Sequence, residues 1–199
     1  DHADERKTIF KTISPKTSRN HWREKFETIA DNIIDKIKEL KSGDLLTLYA
    51  KELSAECLKL VTGLTNMTAA EMDRVSQGMI DGCSNYTGDK NIEEYCNNCT
   101  ESIDAHISER VSEINRISDF SMISSMLESN LSADQISANI KLAISGGQNE
   151  PRDAIAGCIW AALNFKIKKR LLERKNWDQL FNEYCRWMSP IGMSPREIA

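Results

Sequence analysis

The side chains best suited to metal binding or redox chemistry are the six cysteines. Cys96 and Cys99 stand at the two-residue separation typical of zinc sites, but no second cysteine pair or histidine doublet follows at a matching distance. A metal site there is the weaker alternative.

Residues 1–15 alternate charged and apolar positions instead of forming a signal peptide, so we expect a cytoplasmic protein with free thiols. The six cysteines are Cys57, Cys83, Cys96, Cys99, Cys158 and Cys185.

Two pairs of polar side chains stand at helical spacing. His2 and Arg6 are four positions apart, and Glu183 and Arg186 are three apart, so each pair would share one face of a helix. A solvated helix face is the ordinary meaning of such a pair, and an exposed ion pair contributes roughly a few tenths of a kcal/mol. Their functional meaning therefore depends on context.

A long apolar repeat has glycines and a proline near its middle. Segment 132–135 has the capping-box pattern Ser-x-x-Gln, and apolar residues follow at helical spacing as far as Leu163. Glycine and proline inside a helix cost about 1 and 3 kcal/mol. Gly146, Gly147 and Pro151 therefore predict a local distortion within one long helix, and such distortions tend to lie at functional places.

The elements that would position these residues are mainly helices. Apolar residues recur every three or four positions along most of the chain, and Thr68 with Glu71 gives a second capping box. The short apolar run from Asp44 to Tyr49 is a candidate strand. The pattern predicts helices at about 18–40, 53–61, 68–82, 91–114, 117–127, 132–163 and 176–189.

Length and composition bound the class of protein. With 199 residues, 40% hydrophobic and 28% charged, the chain can bury a core and is interpreted as a single, mainly α domain spanning 1–199. Its formal net charge of -4 has no basic stripe, which argues against a nucleic-acid partner. No apolar stretch reaches membrane-spanning length, so we expect no membrane partner.

The order of the motifs resembles the cytochrome P-450 family of haem-thiolate monooxygenases, in its soluble bacterial type. Residues 2–6 are similar to the His-x-x-x-Arg of the family's C helix, and Ser14-Pro15 opens the next helix. Residues 143–151, Ala-Ile-Ser-Gly-Gly-Gln-Asn-Glu-Pro, resemble the long central I helix where it crosses the haem. The Glu-x-x-Arg at 183–186 resembles the K helix. The resemblance implies a P-450-like helical core running from the C helix to just past the K helix, with most of the β part absent from this chain.

This resemblance also implies roles for individual residues. Haem b would be the cofactor, the substrate a small apolar molecule, and the electron donor a ferredoxin or flavodoxin. The haem propionates would be held by His2, Arg6 and Arg196. Gly146 and Gly147 would leave room for oxygen and substrate. The other implied positions are Met79 and Ile80 beside the substrate, Asn149 and Glu150 in the proton relay, and Glu183 and Arg186 as a structural pair.

The sequence departs from the family at the iron ligand and at the proton relay, among other places. The family's iron ligand is a cysteine in a Phe-x-x-Gly-x-x-x-Cys-x-Gly loop downstream of Glu-x-x-Arg, and none of the six cysteines lies in such a loop. We therefore expect this chain alone to be inactive, and a non-catalytic helical module remains the alternative. Asn149 and Glu150 replace the usual acid and alcohol of the relay, and an amide such as Asn149 cannot act as an acid.

Overall fold

In a computed structural model, residues 2–114, 119–165, 167 and 173–189 are described, and every regular element within these ranges is helical. Two short π-helical segments, Ser18–Trp22 and Leu46–Lys51, lead into α3 and α4. The helices are α1 His2–Ile13, α2 Pro15–Thr17, α3 Arg23–Ile37, α4 Glu52–Thr62, α5 Ala69–Cys83, α6 Lys90–Ile114, α7 Met122–Glu128, α8 Ala133–Gly147, α9 Asn149–Asn164 and α10 Arg174–Trp187. The mainly α class predicted from the sequence is confirmed.

Helix starts follow the capping residues that the sequence contains. Ser132 and Gln135 form a complete, reciprocal capping box at α8. At α5 only half of the box forms. The Thr68 hydroxyl accepts a hydrogen bond from the Glu71 amide, but the Glu71 carboxylate binds Arg74 and Ser102 and not the Thr68 amide. These hydrogen bonds, chiefly that from Arg74, lower the pKa of Glu71.

The strand predicted from Asp44 to Tyr49 is wrong, because most of this run is the π-helical segment before α4. Asp44 starts the helical turn by accepting hydrogen bonds from the amide of Leu46 at 3.0 Å and the hydroxyl of Thr47 at 2.7 Å. The same bonds, that from Thr47 first, lower the pKa of Asp44. An apolar run of this length fits either structure, and the aspartate cap together with packing on α3 and α9 selects the helix.

The single long helix predicted from 132 to 163 is two helices joined at Gln148. The backbone of Gln148 has φ −98° and ψ −53°, which bends the chain between α8 and α9. Pro151 lies one turn beyond Gly147. Because proline has no amide hydrogen, Pro151 cannot donate a hydrogen bond to the Gly147 carbonyl. The predicted distortion is thus present, and it divides the helix instead of only deforming it.

The apolar core lies where α5, α6, α7 and α8 meet. Its fully buried members include Met72, Val75, Ile103, Ile123, Met126, Ile140 and Ile144. Helices α5 and α6 approach closely because Gly78 and Gly82 face Cys99 and Cys96. A Cβ at either glycine would lie within van der Waals overlap of a sulfur, 2.4 Å away. The Cys-x-x-Cys pattern therefore serves helix packing.

We expect Gly82→Ala to destabilise the fold by about 1–3 kcal/mol, the usual cost of overpacking a close helix contact. Chemical denaturation followed by circular dichroism measures this. Gly146→Ala is the matched control, because no atom lies within 4 Å of the Cβ it would add. Adding Cys96→Ala should recover part of the loss. Equal midpoints for Gly82→Ala and Gly146→Ala would contradict the proposed packing role.

Candidate functional site: a cleft between helices α1 and α8

A cleft of about 530 Å³ separates helix α1 from helix α8. It is lined by Glu5, Arg6, Ile9, Phe10, Ile13, Ala138, Asn139 and Leu142. The cleft brings the predicted propionate-binding residue Arg6 close to the helix that carries the predicted oxygen-side glycines. These two motifs are more than a hundred positions apart in the sequence, so only the fold brings them together.

Buried and half-buried hydrogen bonds fix α1 relative to the rest of the fold. The two carboxylate oxygens of Glu5 accept hydrogen bonds from the amides of Gln135, at 2.8 Å, and Asn139, at 3.0 Å. Farther along α1, the buried Thr12 hydroxyl lies 3.1 Å from that of Ser125, and its carbonyl accepts the indole N–H of Trp22. The orientation of α1 is therefore set by specific polar contacts.

The cleft surface combines apolar walls with one cation. Phe10, Ile13 and Leu142 are 56, 52 and 71% exposed, which is high for large apolar side chains that lie together. Arg6 is exposed and makes no ion pair or side-chain hydrogen bond with the described residues. The other charged residue of the lining, Glu5, uses its carboxylate to accept two amide hydrogen bonds, so the concave apolar surface with Arg6 suits an apolar ligand that carries an anionic substituent.

The two glycines of α8 have different surroundings. Gly146 follows Leu142 by one turn on the same face, and no atom lies within 4 Å of a Cβ built there. Gly147 faces α4 instead, where an added Cβ would lie 2.8 Å from Leu58 Cδ1. The expectation that both glycines leave room for oxygen and substrate is therefore corrected. Gly147 allows α8 to pack on α4, and Gly146 alone borders open space.

Three consecutive residues at the α8–α9 junction bury oxygen atoms that lack partners. Gln148 is fully buried and Asn149 is 8% exposed. Among the described residues, Gln148 Oε1, Asn149 Oδ1 and Glu150 Oε2 have no hydrogen-bond donor. Buried acceptors without donors are uncommon and costly. The positions predicted for a proton relay thus offer free acceptor oxygens within the fold.

The other predicted site residues lie away from the cleft or outside the described side chains. Glu183 and Arg186 form a two-point ion pair at 2.6 and 2.8 Å on the exposed surface of α10, and the hydrogen bond from Arg186 lowers the pKa of Glu183. Met79 belongs to the apolar core and Ile80 is half-buried, so their substrate role stays a prediction. The His2 side chain and Arg196 lie outside the described part of the structure.

None of the six cysteines lines the α1–α8 cleft. Burial raises the pKa of Cys57 to about 12 and that of Cys158 to about 11, which keeps both as neutral thiols. Within the ranges that the structure describes, no group of three or more His, Cys, Asp or Glu residues could hold a metal ion. The described part of the cleft therefore offers a cation and an apolar surface and no thiol.

Sequence reasoning missed Glu5, Phe10 and Leu142. The local sequence around each of them has no unusual feature. They belong to the site only because α1 packs beside α8. A partial signal existed, because Ile9, Phe10 and Ile13 make α1 apolar on one side although the helix is otherwise charged.

No family model matches the sequence, but solved cytochromes P450 share its fold. CYP109E1 from Bacillus megaterium, solved with testosterone, has a TM-score of 0.78 over 96% of this chain at 16% identity. CYP109B1 from Bacillus subtilis has a TM-score of 0.79 over 93% at 17% identity. P450BioI, solved with an acyl carrier protein ligated to hexadec-9Z-enoic acid, has a TM-score of 0.78 over 94% at 18% identity.

The chain therefore has the cytochrome P450 fold. The alignments cover 49 to 52% of the three solved chains, so the chain spans about half the length of the structures it matches. The portion that matches is the helical core. No helix among the described residues combines the length and apolarity needed to cross a bilayer.

We expect Glu5→Ala to loosen α1 by removing both amide hydrogen bonds to α8, at a cost of about 1–3 kcal/mol. Amide hydrogen exchange along α1, together with the denaturation midpoint, measures the effect. Asp4→Ala is the control, since the Asp4 carboxylate has only an exposed contact to Lys7 at 3.9 Å. Similar exchange in the two variants would show that Glu5 does not anchor the helix.

Proposed function

We propose that this chain is the helical core of a haem-thiolate monooxygenase of the cytochrome P450 family. The observation that carries the proposal is the α1–α8 cleft within a P450 fold, where Arg6 borders an apolar surface that includes Leu142, one helical turn before the open face of Gly146. The ordered motifs in the sequence support it independently of the fold. A likeness at 16 to 18% identity by itself concerns the fold.

The described residues suggest a division of labour around the cofactor. When bound, haem b supplies the activation of oxygen. Arg6 would hold a propionate through charge-assisted hydrogen bonds, together with His2 and Arg196. Because Gly146 has no side chain, it would let small molecules approach the backbone of α8. The axial thiolate would come from a cysteine other than the six in this sequence.

The α8–α9 junction would handle protons in an unusual way. Asn149 can orient water but cannot release a proton, because its side chain is an amide. Glu150 can hold and release one at a carboxylate oxygen, and its Oε2 is buried without a donor among the described residues. We therefore assign proton transfer to Glu150 and water orientation to Asn149.

The apolar cleft walls favour a small apolar substrate. The solved structures with this fold include one bound to a steroid and one bound to an acyl chain carried by a protein. Both ligands are largely apolar, which agrees with exposed Phe10, Ile13 and Leu142. By the same resemblance the electron donor would be a ferredoxin or flavodoxin, and the protein would work in the cytoplasm.

A non-catalytic helical module is the second candidate, and one surface favours it. Trp160, Phe165 and Trp187 form an exposed aromatic cluster in which the two indoles stack 6.5 Å apart. Aromatic residues are enriched in protein interfaces. Such a module would use its apolar surfaces for partner binding and would not retain haem.

Haem retention separates the two candidates. For the full-length gene product we expect a haem absorption spectrum and, after reduction under carbon monoxide, the red-shifted Soret band of a thiolate-ligated haem. We expect Arg6→Ala to weaken haem retention by roughly ten- to a hundredfold, because it removes a charged hydrogen-bond donor. Absorption titration with haem measures this.

Lys7→Ala is the control, because Lys7 is the next residue on α1 and its side chain is 82% exposed. Haem retention by this variant should equal that of the unmodified protein. A full-length product without any haem band would eliminate the monooxygenase and favour the helical module.

A further inference from the structure

Asp73 on helix α5 is the common partner of three other segments. Its Oδ2 accepts a hydrogen bond from Lys51 Nζ at 2.7 Å, at the end of the second π-helical segment. Its Oδ1 faces Gln148 Nε2 at 3.4 Å and Arg152 Nη1 at 3.8 Å. The Asp73 and Arg152 side chains are only 21 and 15% exposed. One carboxylate therefore joins α5, the π-helical segment, the helix junction and the start of α9.

Gln148 makes contacts at the junction in addition to helical hydrogen bonds. Pro151 cannot donate to the carbonyl of Gly147, whereas the amide of Arg152 is 3.3 Å from the carbonyl of Gln148. The Gln148 carbonyl also accepts a shorter bond, 2.7 Å, from the hydroxyl of Ser54. The side-chain amide of Gln148 lies 3.4 Å from the Lys51 carbonyl and 3.4 Å from Asp73 Oδ1. Contacts from α4, α5 and the second π-helical segment thus strengthen a junction at which Pro151 removes one backbone hydrogen bond.

The rotation of α9 relative to α8 decides where the functional side chains point. Successive helical residues are separated by about 100° around the axis, so a change in the backbone angles of Gln148 would turn the side chains of Asn149 and Glu150 relative to α8. The buried, donor-free oxygens of Asn149 and Glu150 lie directly after the joint. Their orientation consequently depends on what fixes Gln148.

Charge identifies Asp73 as the residue that fixes the joint. Lys51 is its closest cation, but it is 36% exposed and alone would stabilise little. Arg152 is more buried and divides its guanidinium between Asp73 and Asp153, with the shorter contact, 2.7 Å, to Asp153. Asp73 is the acceptor on which both cations and the Gln148 amide converge.

We propose that Asp73 is a positioning residue that sets the α8–α9 joint and, through it, the orientation of the Asn149 and Glu150 side chains. The proposal rests on the proposed function for the meaning of that orientation. The joint itself can be tested without haem. Asp73 makes no contact with the cleft, so its effect would act through Gln148.

Hydrogen exchange of the purified protein tests the joint. In Asp73→Asn, which removes the charge at nearly constant volume, we expect the amides of 148–152 to exchange about tenfold faster or more, while core amides of α5 and α6 keep their rates. Asp73→Glu should restore slow exchange at least in part. Asp81→Asn is the matched control, because Asp81 lies on the same helix and contacts only Gln77 in an exposed position. Uniformly faster exchange, or no change, would overturn the proposal.

The infrared C–O stretch of the reduced, carbon monoxide-bound full-length protein tests whether the joint influences the surroundings of the haem. We expect the band to shift or broaden in Asp73→Asn, to return in Asp73→Glu and to stay unchanged in Asp81→Asn. An unchanged band with altered exchange would overturn the proposal, since Asp73 would then only stabilise the helix. If no variant, including the unmodified protein, forms a carbon monoxide complex, the proposed function fails, and exchange alone decides whether Asp73 holds the joint.

Discussion

The interruption between α8 and α9 is the constraint on which the candidate site depends. Pro151 has no amide hydrogen to donate to the preceding turn, and Gln148 alone separates the two helices, with φ −98° and ψ −53°. The Gln148 carbonyl accepts a hydrogen bond from Ser54, and the Gln148 side-chain amide donates to the Lys51 carbonyl and to Asp73. The core packed against α8 and these contacts with neighbouring segments therefore help to hold the joint in place.

The cleft next to this joint depends on two kinds of packing by α8. On one side Gly147 lets α8 approach Leu58 of α4, and Ile140 and Ile144 are fully buried in the core. On the other side Leu142 remains exposed beside α1, whose position is set by Glu5 and Thr12, and Gly146 is exposed one turn farther along α8. A helix that is apolar on both sides can join a core and form a binding surface at once. That double use agrees with the long apolar repeat, which is wider than a core-facing stripe alone requires.

The likeness to solved P450 structures combines high coverage of this chain with low sequence identity. A TM-score of 0.78 at 16% identity means that the arrangement of helices persists while most side chains differ. Cores tolerate such change when volume and apolar pattern are kept.

The sequence by itself determined most of the helices, the cap of α8 and the place of the distortion. The complete capping box of Ser132 and Gln135, the long helix at Lys90–Ile114 and the break before Pro151 all follow from local hydrogen bonding and apolar periodicity, which act between near neighbours. Only the tertiary structure decided that Asp44 begins a helical turn, that Gly147 serves packing, and that Glu5 and Asp73 hold distant elements together. Those outcomes depend on partners far away in the chain, such as Asn139 for Glu5 and Gln148 for Asp73. Local pattern carries no information about which distant side chain fills a given contact, because that choice is made only when the helices pack.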